Sequence, residues 1–277
     1  MEPENMNSET GNDQKTNMKL ELSGIRQGYG SKIIVEDINM SVESGEVVTI
    51  LGPNGSGKST LIKTMCNIME PKAGTITIDD VNISDIDKKE FAKIVGYVPQ
   101  HTIYFGQSSV YDSVLLGRKP YTDWSYSRED INIAAEAMIR MNIDDLYDRP
   151  VSELSGGQVQ RVSLARALAQ NPRFYIFDEP TSALDLRNQL DTLKVMRRII
   201  KENGASMVMA MHDLNLALRY SDKVLALKDG QVYGFGAAEA IITEEMIKDV
   251  YGVDSQIMDS PKGKFIYAFD DDAAKVL

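Results

Sequence analysis

The sequence has little of what would place it in an oxidising compartment or inside a membrane. It contains one cysteine, Cys66, among 277 residues, so an intrachain disulfide is excluded. Cys66 lies in an apolar helical stretch, where we expect a buried, unreactive side chain. No apolar run reaches the roughly 18–20 residues that a membrane-spanning helix needs. The N-terminus also lacks the basic start and apolar stretch of a secretory signal. We therefore expect a cytosolic chain that does not itself span a bilayer.

Positive charge is also scarce. The chain carries 30 Lys and Arg against 41 Asp and Glu, which gives a net charge of −11. Nucleic-acid binding depends on clustered Lys and Arg that contact phosphates, so this balance predicts no nucleic-acid partner. The hydrophobic share of 43% is ordinary for a globular protein. The length suits one domain with an insertion, or two small lobes.

The order of the local patterns predicts an α/β fold. Residues 1–17 are acidic and nearly devoid of apolar side chains other than methionine, so we expect a disordered tail there. Strand patterns and helical patterns then alternate over 18–240, which predicts a largely parallel sheet. The segment 241–277 leaves room only for a helix and a few strands, as a short C-terminal extension.

One stretch breaks the alternation. Residues 101–150 show no clear strand pattern. Ser109 and Ser127 each precede an acid by three residues, the spacing of helix capping boxes. We expect a mostly helical lobe, inserted into the α/β domain at about 101–150.

The strongest motif is a phosphate-binding loop, "GPNGSGKST". It matches G-x-x-x-x-G-K-[ST] in full and lies between a predicted strand and a predicted helix. The glycines let backbone N–H groups turn inward, and the helix N-terminus adds positive charge. A lysine at this position contacts the β- and γ-phosphates, and the following serine offers a hydroxyl to Mg²⁺. The expected nucleotide-binding residues are Gly52, Pro53, Asn54, Gly55, Ser56, Gly57, Lys58, Ser59 and Thr60.

Polar side chains at the ends of other strands complete the expected site. Asp178 and Glu179 follow the apolar run "FYIF", and Gln100 and His212 follow two further predicted strands. Ligands collect at the carboxyl ends of parallel strands. We expect Asp178 to hold Mg²⁺ with Ser59 and Gln100, and Glu179 to orient the attacking water. Gln100 could also bind that water. His212 could contact the γ-phosphate or hold Glu179.

A second glycine-containing motif, "LSGGQVQR" at 154–161, precedes another predicted helix. With the phosphate loop, Gln100, "FDEP", "SALD" and His212, it resembles the ATP-binding-cassette ATPases in order and spacing over about 18–260. The resemblance implies a P-loop NTPase (RecA-like) fold with an antiparallel β subdomain and an inserted α-helical subdomain. It implies ATP and Mg²⁺ as ligands, hydrolysis by Glu179 with His212, and adenine stacking on Tyr29.

The resemblance also implies a partner for each site. In the family, the second motif faces the γ-phosphate held by another cassette, head to tail, so a second copy of this chain would complete the site. The residues given this role by the resemblance are Ser155, Gly156, Gly157 and Gln158, with Asp185 of "SALD" signalling between subunits.

Several classes of cassette protein remain open, and import is favoured. The stretches "VYDSVLLGRKPYTDW" and "AIITEEMIKDVYGVD" resemble cassettes of iron-complex (siderophore or haem) and cobalamin importers. This resemblance implies integral membrane permease subunits, indirectly an extracytoplasmic solute-binding protein, and a place on the cytoplasmic face of the cell membrane. The rival is a soluble iron–sulfur cluster assembly ATPase. Aromatic residues expected on the lobe surface suit docking of a permease helix: Tyr104, Phe105, Tyr111, Tyr121 and Trp124.

Overall fold

The computed structural model describes residues 18–100 and 107–269. The predicted tail at 1–17 and the aromatic residues Tyr104 and Phe105 lie outside the described residues. The strands are β1 (Lys19–Tyr29), β2 (Lys32–Glu43), β3 (Val47–Leu51), β4 (Ala73–Ile78), β5 (Val81–Asn82), β6 (Val95–Val98), β7 (Phe174–Asp178), β8 (Ser206–Ala210), β9 (Lys223–Lys228), β10 (Gln231–Ala237), β11 (Asp254–Ser260) and β12 (Gly263–Phe269). The helices are α1 (Lys58–Met65), α2 (Lys88–Ile94), α3 (Val110–Leu115), α4 (Arg128–Arg140), α5 (Gly156–Gln170), α6 (Leu186–Asn203), α7 (Leu214–Tyr220), α8 (Ala238–Ile241) and α9 (Glu244–Tyr251).

A six-stranded sheet forms the centre of the fold, in the order β10-β9-β3-β8-β7-β6. The pairs from β9 across to β6 are parallel, and β10 is the antiparallel edge strand. Every residue of β3, β7 and β8 is buried, which accounts for their unbroken apolar sequences. Because β3, β6, β7 and β8 run the same way, Gly52, Gln100, Asp178 and His212 lie at or just after strand ends on one edge of the sheet. The predicted parallel sheet is confirmed.

A second sheet packs over one face of the first. Its order is β2-β1-β4-β5, and all its pairs are antiparallel. Its apolar side chains share a core with α1 and with one face of the central sheet. Cys66 is buried in that core, as predicted. The β4–β5 turn uses Asp79 and Asp80, both with positive φ, as a tight hairpin requires.

The opposite face of the sheet carries the helical lobe. Helices α3 and α4 begin at Ser109 and Ser127, whose hydroxyls accept the N–H groups of Asp112 and Asp130. Both predicted helix starts are confirmed. α5 packs against α3 and α4 and joins the lobe to the sheet. Buried side chains of α4, α5 and α6 form one core with β7 and β8.

The chain ends in a small element of its own. After α8 and α9, β11 and β12 pair as a two-stranded antiparallel sheet. Ile266 of β12 is buried in the core that holds α7 and α9. Within the described residues, no helix is both long and apolar enough to cross a membrane.

Candidate functional site

The phosphate loop wraps around the N-terminus of α1. Gly57 caps this helix with a φ of 103°, and a Cβ there would lie 2.3 Å from the Cγ1 atom of Val35. Only glycine fits both the backbone and the space. The buried Lys58 ammonium donates to the carbonyl oxygens of Gly52 (2.8 Å) and Pro53 (3.1 Å), so it lies inside the loop. The loop thus presents a lysine and a helix N-terminus to the same space, which suits a polyphosphate.

The end of β7 faces the start of α1. The Ser59 hydroxyl donates to Asp178 Oδ1 at 3.0 Å. Burial raises the pKa of the Asp178 carboxyl, and the nearby Glu179 charge raises it further. Burial lowers the pKa of Lys58, while Glu179 and Asp178 act to raise it. An anion bound beside Lys58 and a cation bound beside Asp178 would therefore each favour the charged form of that buried group.

Glu179 is held by two side chains from neighbouring strand ends. Gln100 Nε2 donates to Glu179 Oε2 at 2.7 Å, and His212 Nε2 hydrogen-bonds Glu179 Oε1. Glu179 also has a φ of 55°, the left-handed region that non-glycine residues rarely adopt. The structure thus brings Gln100, Glu179 and His212 together, as the parallel-sheet argument predicts. The sequence left two contacts open for His212, the γ-phosphate or Glu179, and in this structure His212 contacts Glu179.

These groups line one cavity of about 590 Å³. Its walls come from the phosphate loop, Gln100, Glu179 and His212, together with Lys32 and Ile34 of β2. Sequence reasoning missed Lys32 and Ile34. Their place in the sequence could have indicated this role, because they follow Tyr29 across the tight β1–β2 turn. The Tyr29 side chain is 53% exposed at that turn, open to stacking on a base.

The second glycine motif forms the start of α5. The Ser155 hydroxyl accepts the N–H of Gln158, and Gln158 Oε1 accepts the N–H of Ser155, a full capping box. Ser155 and Gly156 are exposed, and a Cβ on Gly156 would meet no atom within 4 Å. Among the described residues, none of 155–158 lines the cavity. The motif is therefore an exposed helix N-terminus, separate from this chain's own phosphate loop.

The second motif lies against the segment that follows Glu179. Gln160 of α5 donates to the carbonyl of Pro180 at 3.0 Å, just after Glu179. A Cβ on Gly157 would lie 3.5 Å from the carbonyl oxygen of Ala183, so the "SALD" loop is its neighbour. Asp185 caps α6 by accepting the N–H of Asn188 at 2.8 Å. Asp185 thus has a structural role here, beside the signalling role that the resemblance implies.

The donor set around Ser59 fits magnesium. A hydroxyl, a carboxylate and an amide oxygen are hard oxygen ligands, which Mg²⁺ prefers, and Mg²⁺ is bound by one or two protein groups together with phosphates. Ser59 and Asp178 already touch, and Gln100 lines the same cavity. Magnesium bound there would supply charge neutralisation to the phosphates. The same arrangement matches the chemistry of phosphoryl transfer to water.

Comparison with known proteins agrees with this geometry. The family model described as "ABC transporter" matches residues 35–182. The iron(3+)-hydroxamate import ATP-binding protein of Bacillus subtilis is 39% identical over 238 residues, 85% of this chain and 88% of the relative.

Solved structures show the same fold. A transporter described as being of the metal-chelate type, in an inward-facing conformation, superposes with a TM-score of 0.80 at 26% identity, over 93% of this chain and 100% of that one. A bacterial ABC transporter cassette solved as a dimer superposes with a TM-score of 0.72 at 30% identity, over 79% of this chain and 98% of that one.

Proposed function

Because the chain belongs to the ABC transporter family of ATP-binding proteins, we propose that it is the ATP-hydrolysing subunit that powers an importer of iron complexes. The observation that carries the hydrolytic role is the cluster of Gln100 and His212 on Glu179, at the mouth of the phosphate loop. A loop that only binds nucleotide has no need of a carboxylate held by two side chains. Relatives of this chain are ATP-binding proteins of import systems.

The chain's residues divide the reaction between them. Lys58 and the loop N–H groups bind the β- and γ-phosphates, and Ser59 with Asp178 faces the magnesium position. Glu179 accepts a proton from the attacking water, and Gln100 and His212 fix the direction of its carboxylate. Tyr29 stacks on adenine. Because phosphoryl transfer leaves little covalent chemistry to the protein, the main contribution of these residues is to position the reacting groups.

Hydrolysis requires a second copy. Ser155 and the Gly156 N–H group form an exposed anion-seeking helix N-terminus that this chain's own cavity does not use. In a head-to-tail pair, each cavity is closed by the other chain's motif. ATP then favours the closed pair because it binds both halves at once, and loss of the γ-phosphate releases them. A related cassette has been solved as a dimer.

The relatives support one kind of cargo and membrane partners for this chain. The iron(3+)-hydroxamate and hemin relatives favour an iron complex over cobalamin, and import over iron–sulfur cluster assembly. The lobe offers a place for permease subunits: Trp124 is fully exposed and Tyr121 is 39% exposed, whereas Tyr111 packs against the core. This chain would then act at the cytoplasmic face of the membrane, indirectly linked to an extracytoplasmic solute-binding protein.

The proposal is tested by ATP-dependent uptake into proteoliposomes. The full chain, co-purified with its permease subunits, is expected to drive uptake of labelled ferric hydroxamate or haem. Glu179→Gln is expected to bind ATP, to accumulate as a dimer in size-exclusion chromatography, and to slow turnover by roughly 10²-fold or more. Glu129→Gln, an exposed acid on α4, is the control. Normal turnover by Glu179→Gln would refute the catalytic assignment, and uptake of cobalamin alone would refute the cargo.

A further inference from the structure

The helix α7 begins directly after His212. Asp213 is its N-cap, with Oδ1 accepting the N–H of Leu216 at 2.9 Å. The carbonyl of Asp213 also accepts the N–H of Ala217 at 3.0 Å. His212 is therefore joined to the first turn of α7 by one peptide bond and a tight cap. Any tilt or loosening of that turn displaces the imidazole from Glu179.

One side chain of that turn holds the C-terminal hairpin. Asn215 Oδ1 accepts the N–H of Ile266 at 2.7 Å, and Asn215 Nδ2 donates to the carbonyl of Ile266 at 3.2 Å. Ile266 faces Ile257 across the β11–β12 pair. Both polar groups of Ile266 therefore point away from β11, as at a non-hydrogen-bonded pair. The Asn215 amide occupies the place where a third strand would pair.

The other edge of the hairpin is fixed in the same way. Glu244 Oε1, at the start of α9, accepts the N–H of Ile257 at 2.8 Å. The Ile266 side chain is buried beside Leu216 and Ala217 in the core. The hairpin is thus attached along both edges and through its centre. Two-stranded sheets are marginal alone, so these attachments decide where it lies.

We propose that the C-terminal hairpin braces His212, with Asn215 as the positioning residue that transmits the hairpin's placement through α7. This inference rests on the proposed function, since it assigns the hairpin a part in hydrolysis. ATP binding does not depend on it, because neither Asn215 nor β11 and β12 line the cavity among the described residues.

Asn215→Ala tests the brace. In the full chain, the variant is expected to lower kcat for ATP hydrolysis about tenfold, because a small misplacement of a reacting group is costly. KM for ATP is expected to stay within about twofold, since the phosphate loop is untouched. Asn203→Ala removes an exposed hydrogen bond between the side-chain amides of Asn203 and Asn171 at the C-terminal end of α6, and it is expected to leave both values unchanged. An unchanged kcat for a folded Asn215→Ala would overturn the inference.

A double variant distinguishes an effect of Asn215 on His212 from a general loss of stability. If Asn215 acts through His212, Asn215→Ala is expected to add no further loss of single-turnover rate in a His212→Ala background. Independent losses that multiply would overturn the inference. Asn215→Asp keeps the acceptor for the Ile266 N–H and is expected to recover part of kcat. This variant provides the test if Asn215→Ala folds poorly. Absence of hydrolysis by the unaltered chain would instead refute the proposed function.

Discussion

At the scale of single residues, the backbone of Glu179 is strained where the chemistry is proposed. A non-glycine φ of 55° costs on the order of 1–3 kcal/mol and persists only when its surroundings fix it. Here the carboxylate is bonded by Gln100 and His212. The Glu179 carbonyl also accepts the N–H and the hydroxyl of Ser182, at 3.3 and 3.1 Å. The strain thus directs the side chain into the cavity.

Two glycines of the phosphate loop offer a matched comparison. Gly57 and Gly55 have φ values of 103° and 83°, so alanine is strained at both. A Cβ at Gly55 would meet nothing within 4 Å, whereas at Gly57 it would lie 2.3 Å from the stiff, buried Val35. Gly57→Ala is therefore expected to lose about 1–3 kcal/mol more free energy of unfolding than Gly55→Ala. Urea denaturation measures this, and equal losses would contradict the steric argument.

At the scale of elements, turn conformations can be predicted from the sequence, whereas strand order and contacts between distant segments cannot. Asp229 and Gly230 carry positive φ in the β9–β10 turn, and Asp-Gly is a pair typical of such hairpin turns, because turn preferences act within four residues. The sheet order that puts β3 between β8 and β9 has no such local signal. The bond from Asn215 to Ile266 spans 51 residues and was likewise not predicted. The strand-end residues of the site were found because a parallel sheet gathers them by rule.

The helical lobe contains a buried ion pair. Arg118 Nε donates to Asp130 Oδ1 at 2.8 Å, and both side chains are 9% exposed. Arg118 also donates to the carbonyl of Ala169, near the end of α5. Arg118→Met is expected to cost about 3–5 kcal/mol of unfolding free energy, because it leaves Asp130 charged and unpaired. The exposed pair of Arg187 with Asp191 is the control, and Arg187→Met is expected to cost less than about 1 kcal/mol.

The loss in Arg118→Met is expected to depend on pH with a definite sign. The hydrogen bond from Arg118 holds the pKa of Asp130 below its ordinary value of 3.8. The pair therefore stabilises the fold fully above that ordinary value and is lost as pH falls through the lowered pKa. The difference between parent and Arg118→Met is expected to narrow below about pH 4. A difference that stays constant down to pH 2 would contradict the charge-pair explanation.

At the scale of the whole molecule, the proposed head-to-tail pairing makes the two glycine-containing motifs of each chain unlike halves of a site. The phosphate loop and Glu179 share one cavity, while Ser155 lies exposed at the start of α5. Gln160 connects α5 to the segment after Glu179 through its hydrogen bond to the carbonyl of Pro180. In the proposed pair, the second half of each site comes from another copy of the chain.

Mixing two inactive variants decides whether Ser155 acts on its own chain or on a partner. Lys58→Ala removes the phosphate contact, and Ser155→Arg fills the exposed helix end without touching the cavity. Alone, Lys58→Ala is expected to lose ATP binding, and Ser155→Arg to keep ATP binding but lose hydrolysis. In a head-to-tail pair of one copy each, both defects fall in one site and the other site is intact. An equal mixture is therefore expected to recover about a quarter of the parental ATPase rate, because half of random pairs are mixed and each has one of two sites. If Ser155 served its own chain's phosphate loop, every site would carry a defect, and the mixture would stay as inactive as its components.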